Sequence, residues 1–234
     1  IRMILEEKKV GEFVLEDYRN AHLFSKHGID FCCGGKKSLK EACSNANVDT
    51  QYVISELEKL AAKGEPSILI ESLSLNGLID YIVSIHHSYT RSKGDLLLQY
   101  SGKMVNAHGE RHPEVIPLYK LIEALIDDLI PHLLKEEKIL FPAIISLENG
   151  TELNFPKEQL VHPISGMEFE HEEVGRMIQE LKSMTNDFTP PTYACTTWRI
   201  CYATLAEYVA DLQTHIHLEN NVLFPRVADM IDKR

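Results

Sequence analysis

The sequence has no apolar run approaching the ~20 residues needed to cross a bilayer. It is also short of positive charge: 24 Lys and Arg stand against 35 Asp and Glu, a net charge of −11 over 234 residues. The first absence argues against a membrane helix. The second argues against nucleic acid or an anionic membrane surface as the main partner, since both require a cationic face. The opening residues, Ile1-Arg-Met-Ile-Leu-Glu-Glu, hold no apolar stretch of a secretion signal. Cysteine is scarce, with Cys32, Cys33, Cys43, Cys195 and Cys201 only, an odd number with two adjacent. A disulfide scaffold is the poorer account of them, and reduced thiols in a cytoplasmic protein the simpler one. No segment reads convincingly as a β-strand.

Histidine, in contrast, is plentiful at 11 residues. Two of them open near-identical segments. One is His132-Leu-Leu-Lys-Glu136-Glu-Lys-Ile-Leu-Phe141-Pro142, the other His215-Ile-His-Leu-Glu219-Asn-Asn-Val-Leu-Phe224-Pro225. Each reads H-x-x-x-E, an apolar pair, then Phe-Pro. Residues four apart share a helix face, so each segment offers an imidazole and a carboxylate to one point. Two such helices face to face supply the donors of a first-row metal site in a helical bundle.

The rest of the pattern supplies that bundle. Residues 1–65 predict a small helical unit. Its parts are an apolar periodicity over Val10–Lys26 stopped at Gly28, a capping box at Ser38–Glu41, and a further helix capped by Asp49. Gly64-Glu-Pro-Ser marks a linker, placed at 66–76. Residues 77–234 then predict four long helices in an up-down bundle, at about 75–107, 113–147, 163–186 and 192 to the end. Pro131 falls inside the second and is expected to bend it.

The other two helices complete a ligand set. The third offers His171. The first offers His86 and His87, of which one faces the core, and His86 continues the face of Ile82 and Ile85. His86, His132, Glu136, His171, His215 and Glu219 exceed the four ligands of a structural zinc site. Two metal ions bridged by the two carboxylates, with positions left open for a small ligand, suit the count. Imidazole with carboxylate suits iron. His87 and His217 read as neighbours and Glu137 as solvent-facing. Asp128 and Glu170 are candidates for supporting or proton-handling groups, with solvated helix charge as the alternative. His108 and His112 flank a helix start and read as exposed.

Phe31-Cys32-Cys33-Gly34-Gly35 is a separate signal. Adjacent cysteines close onto each other only through a strained ring. They serve as thiols for exchange, for soft metal or for a partner, or as small buried residues beside a turn.

These motifs together, with His108-Gly-Glu-Arg-His-Pro113 and Pro190-Pro-Thr-Tyr-Ala-Cys-Thr-Thr-Trp198, make the chain resemble the iron-sulfur cluster repair di-iron proteins over nearly its whole length. The resemblance implies an all-α fold, a short N-terminal double-cysteine domain followed by a hemerythrin-like bundle. It implies two non-heme irons per chain, a ligand pattern that falls on the same six residues with glutamates as bridges, and a role for Cys32 and Cys33. It also implies restoration of clusters damaged by nitric oxide or peroxide, with damaged iron-sulfur proteins as clients and nitric oxide, oxygen or peroxide as ligands. Iron donation and nitric oxide reduction are the two modes it suggests. An oxygen or nitric oxide sensor, an iron store and a structural zinc bundle are the competing readings. A homodimer is compatible with all of them.

Overall fold

A computed structural model describes residues 2–62, 70–151 and 153–232. Of the expected linker, 66–69 lie outside these residues. The described part of it holds a 3-10 turn, Ile70–Ser72, and the start of a long helix. The described residues form helices and no strand beyond one isolated bridge between Lys9 and Ser38.

Five short helices make the N-terminal unit: α1 (Arg2–Glu7), α2 (Val10–Glu16), α3 (Arg19–Lys26), α4 (Leu39–Asn45) and α5 (Thr50–Ala61). The caps follow the sequence. Ser38 Oγ accepts from the Glu41 amide at 3.2 Å, and Asp49 Oδ1 from the Tyr52 amide at 2.7 Å. Gly28 follows α3 at φ +67°, a conformation open to a residue without a Cβ. One departure is that the single helix expected over Val10–Lys26 is two. Asp17 is extended, and its carboxylate takes the Arg19 amide at 3.0 Å and the Arg19 guanidinium, starting a new helix there.

Four long helices follow, α6 (75–108), α7 (115–148), α8 (Val161–Thr185) and α9 (196–232). α6 packs on α7 and α9, and α8 on α7 and α9, which closes the bundle. Apolar residues at helical spacing, such as Leu118, Ile122, Leu125, Leu129 and Leu133 in α7, are all buried. Pro131 lies within the regular stretch Val115–Lys135, and the helix continues through it. Among the described residues no helix is long and apolar enough to cross a membrane.

The two units share a core. Phe24, Ile29, Phe31 and Cys32 belong to one apolar cluster with Leu205, Val209 and Leu212 of α9. Burying each large side chain there contributes about 1.5–3 kcal/mol. A second cluster, with Leu78, Ile82, Phe141, Leu223 and Phe224, surrounds the other half of the bundle. The twin segments contribute Leu140, Phe141, Leu218, Val222, Leu223 and Phe224 to it.

Three of the four long helices are irregular at one place each. Ile82–His87, Glu136–Leu140 and Glu219–Leu223 are π-helical turns. In the last two, the amides of Phe141 and Phe224 reach back five residues to the carbonyls of Glu136 and Glu219. The next residue in each case is proline, which has no N–H for the carbonyl four residues before it. The Phe-Pro trailer thus favours the wider turn as well as filling the wall. In α6 the Ser88 amide reaches Val83, and the hydroxyls of Ser84 and Ser88 bond the carbonyls of Asp80 and Val83 at 2.6 and 3.1 Å.

Candidate metal centre

Each π turn carries a polar side chain into the bundle, where six meet. The donor atoms of His87, Glu136, His215 and Glu219 all lie within 4.8 Å of one another, and so do those of His132, Glu136, His171 and Glu219. The two clusters share both carboxylates. Glu136 faces His132 Nε2 with Oε1 at 3.3 Å and His87 Nε2 with Oε2 at 3.5 Å. Glu219 faces His215 Nε2 with Oε1 at 2.9 Å and His171 Nε2 with Oε2 at 3.2 Å. Both glutamates are fully buried, and both Glu136 oxygens and Glu219 Oε2 have no hydrogen-bond partner among the described residues. An unpartnered buried carboxylate is costly, and a cation removes that cost.

Five of the six residues expected to converge do so: His132, Glu136, His171, His215 and Glu219. The sixth is a correction. His87, not His86, enters the cluster, with its Nε2 3.1 Å from His215 Nε2. An α-helix continues the face of Ile82 at His86, four residues on. The π turn adds a residue, so the face arrives five residues on, at His87. His86 is buried beside the cluster instead. Its Nδ1 meets Asp211 Oδ1 at 3.0 Å, and its ring stacks on His215 at 6.0 Å.

The outer groups orient the imidazoles. His87 Nδ1 donates to Glu137 at 2.7 Å, His132 Nδ1 to Glu170 at 2.7 Å, and His171 Nδ1 to Asn220 Oδ1 at 2.8 Å. With the proton on Nδ1, each Nε2 turns a lone pair toward the carboxylates. Glu137 therefore does not face solvent as expected, and Arg91 also bonds it at 2.8 Å. Glu170, beside His171 in sequence, bonds Lys135 as well as His132. Among the described residues Asp128 makes no such bond. It lines a 290 Å³ cavity with Pro131, His132, Lys135 and Glu170.

The electrostatics follow from this packing. Burial opposes ionisation of Glu219, yet His215, His171 and His87 around it hold its carboxyl well below the usual range. Burial likewise opposes a charge on His132, but Glu136, Glu219 and Glu170 bring it up to about 9. Burial dominates at His215 and pushes it down.

The double cysteine lies against this centre. Cys33 Sγ donates to the backbone carbonyl of His171 at 3.4 Å, and the two Sγ atoms are 3.9 Å apart. The Cys32 thiol is pushed well up, by its bond with Cys33 and by burial, while Cys33 is half-buried. A 520 Å³ cavity opens beside the pair, bounded by Asp30, Gly34, Glu172 and Arg176. His108 and His112 play no part here. They sit with Trp198 elsewhere on the bundle, where His108 Nε2 meets Cys195 Sγ at 3.0 Å.

Comparison with known proteins finds two matching families. A family described as "Domain of Unknown function (DUF542)" matches residues 6–61, and one described as "Hemerythrin HHE cation binding domain" matches residues 78–227. The chain is similar to "Iron-sulfur cluster repair protein ScdA" of Staphylococcus haemolyticus, 34% identical over 95% of this chain and 98% of that protein. It is also similar to proteins named "Iron-sulfur cluster repair protein YtfE". That of Dickeya chrysanthemi is 38% identical and that of Escherichia coli 37%, each over 96% of this chain and 98% of the relative. The chain belongs to this family of iron-sulfur cluster repair proteins with a hemerythrin domain.

Proposed function

We propose that this member of the iron-sulfur cluster repair family holds two iron ions and uses them, with Cys32 and Cys33, to restore clusters damaged by nitrosative or oxidative stress. The single observation that carries the reading is the sharing of Glu136 and Glu219 between two imidazole pairs, His87 with His215 and His132 with His171. His87 and His215 would hold one ion and His132 and His171 the other, with Glu136 and Glu219 available to both. Four donors leave a hard-to-borderline ion such as iron short of a full shell. Bound iron supplies electrons and open coordination positions for a small ligand such as nitric oxide, oxygen or peroxide.

The chain's own residues set the conditions for that chemistry. Glu137, Glu170 and Asn220 hold three imidazoles in the ligating tautomer. Phe141 stacks on His87 and Phe224 on His171, at 5.7 and 6.3 Å, and keep bulk water from those rings. Cys33, whose Sγ bonds the His171 carbonyl, is the thiol that accepts iron or meets a client's cluster. The clients are damaged iron-sulfur proteins, and iron donation or nitric oxide reduction is the mode of action. All five cysteines are free, which suits a reducing compartment, and we assign the cytoplasm.

The test is an anaerobic preparation with metal analysis, followed by nitric oxide and by a client with a damaged cluster. Two irons per chain and recovery of the client support the reading. Nitrous oxide over repeated turnovers assigns reduction, and a nitrosyl that forms once and stops assigns binding alone. Zinc in place of iron, or no recovery of the client, overturns it.

A further inference from the structure

We infer that Asn221 is a positioning residue that holds the Cys32–Cys33 loop against the helix carrying His215 and Glu219. The inference rests on the reading that the thiol pair works beside the metal centre.

The π turn at Glu219–Leu223 sends three consecutive side chains to three destinations. Glu219 enters the imidazole cluster. Asn220 accepts from His171 at 2.8 Å. Asn221 points the other way and donates from Nδ2 to the carbonyl of Cys32 at 2.8 Å. One turn of chain therefore touches a putting-together of all three parts: the ligand set, the support of an imidazole, and the thiol loop.

The seat for Asn221 is shaped for it. Gly11 and Gly35 are joined by the Gly11 amide, which donates to the Gly35 carbonyl at 2.9 Å. A Cβ at Gly35 would fall 2.5 Å from Asn221 Oδ1 and 2.6 Å from the Phe31 carbonyl; one at Gly11 would fall 3.2 Å from the same Oδ1. Both glycines leave room for the amide. A second contact lies alongside, His217 Nδ1 to the Phe31 carbonyl at 3.2 Å, with Asn221 Nδ2 3.3 Å from the same ring nitrogen. The carbonyls on either side of the Phe31–Cys32 step are thus both held by α9. The loop so fixed lays Cys33 on the His171 carbonyl and keeps Cys32 buried, at 3% exposure. A separate tie between the units, Ser25 Oγ to Gln213 Oε1 at 2.9 Å, lies on α3 and not on the loop.

The experiment follows thiol alkylation, residue by residue, by mass spectrometry on the full iron-loaded chain under anaerobic conditions. Asn221→Ala removes the amide, and Asn221→Asp keeps its size while losing the donor. Both are expected to speed iodoacetamide modification of Cys32 at least tenfold, with iron content at the parental value. Gly35→Ala reaches the same end by displacing the amide. Ser25→Ala should leave Cys32 within twofold of the parent. Cys43 and Cys201, both buried, report general loosening. A Cys32 rate within twofold of the parent in both Asn221 variants overturns the inference. So does acceleration of Cys43 and Cys201 in step with Cys32, or equal acceleration by Ser25→Ala. If the parent binds no iron, the metal reading fails, while the same rates on the metal-free chain still decide whether Asn221 holds the loop.

Discussion

His132 Nε2 and His171 Nε2 face each other at 3.1 Å, while their Nδ1 atoms donate to Glu170 and Asn220. With Nδ1 protonated on both, the two Nε2 atoms are left to share one proton or one cation. A cation between them takes the place of that proton. Glu136 Oε1 and Glu219 Oε2 complete the same cluster.

The choice between adjacent histidines can be tested directly. His87→Ala should lower iron content from two toward one per chain, because His87 Nε2 lies among the donors. His86→Asn should retain both irons. Metal analysis of the purified variants decides it. Parental iron in His87→Ala, or loss of iron in His86→Asn alone, would return the ligand role to His86.

Glu136→Ala removes a carboxylate shared by both clusters and should release both ions, leaving a chain that still folds. The apolar faces of the bundle carry most of its packing. Circular dichroism should show the helices intact, with a lower melting temperature once the metal's contribution is gone. Two irons retained at parental affinity would show the ligand set to be wrong.

Glu170 bonds His132 Nδ1 at 2.7 Å and lies outside both donor clusters. Glu170→Gln should weaken iron binding at one position by roughly 10–100-fold without abolishing it. Competition with a chelator measures this. An unchanged affinity would assign Glu170 to its pair with Lys135 alone.

Asp17 ties the start of α3, and its carboxyl is held below its ordinary value, first by the bond from Arg19. Its folded value lies under its unfolded one, so its contribution is complete above about pH 4 and fades as pH falls through the folded value. Asp17→Ala should cost about 1 kcal/mol at neutral pH. The gap should narrow as the medium is made more acidic than pH 4. Urea melts of both chains across that range check the sign, and a gap that widens with acid would refute it.

Much of this protein was readable in one dimension. Apolar residues at helical spacing marked the long helices, Ser38 and Asp49 marked two caps, and the twin H-x-x-x-E segments marked half of the centre. The split at Asp17 was less visible, because a local carboxylate bond competes with a helix whose apolar period runs straight through. Glu137 was misplaced with His87, since the two are partners and the error in one carries the other.

The sequence by itself determined an all-helical chain with an intramolecular cluster of imidazoles and two glutamates, because i and i+4 share a face wherever a helix is regular. Only the tertiary structure decided where the helices are not regular. Three π turns, two backed by a proline and one by serine hydroxyls, shift the phase of the face by one residue. That shift brings His87 in place of His86, gives Glu137 a partner, and points Asn221 at the thiol loop, none of which a constant period predicts.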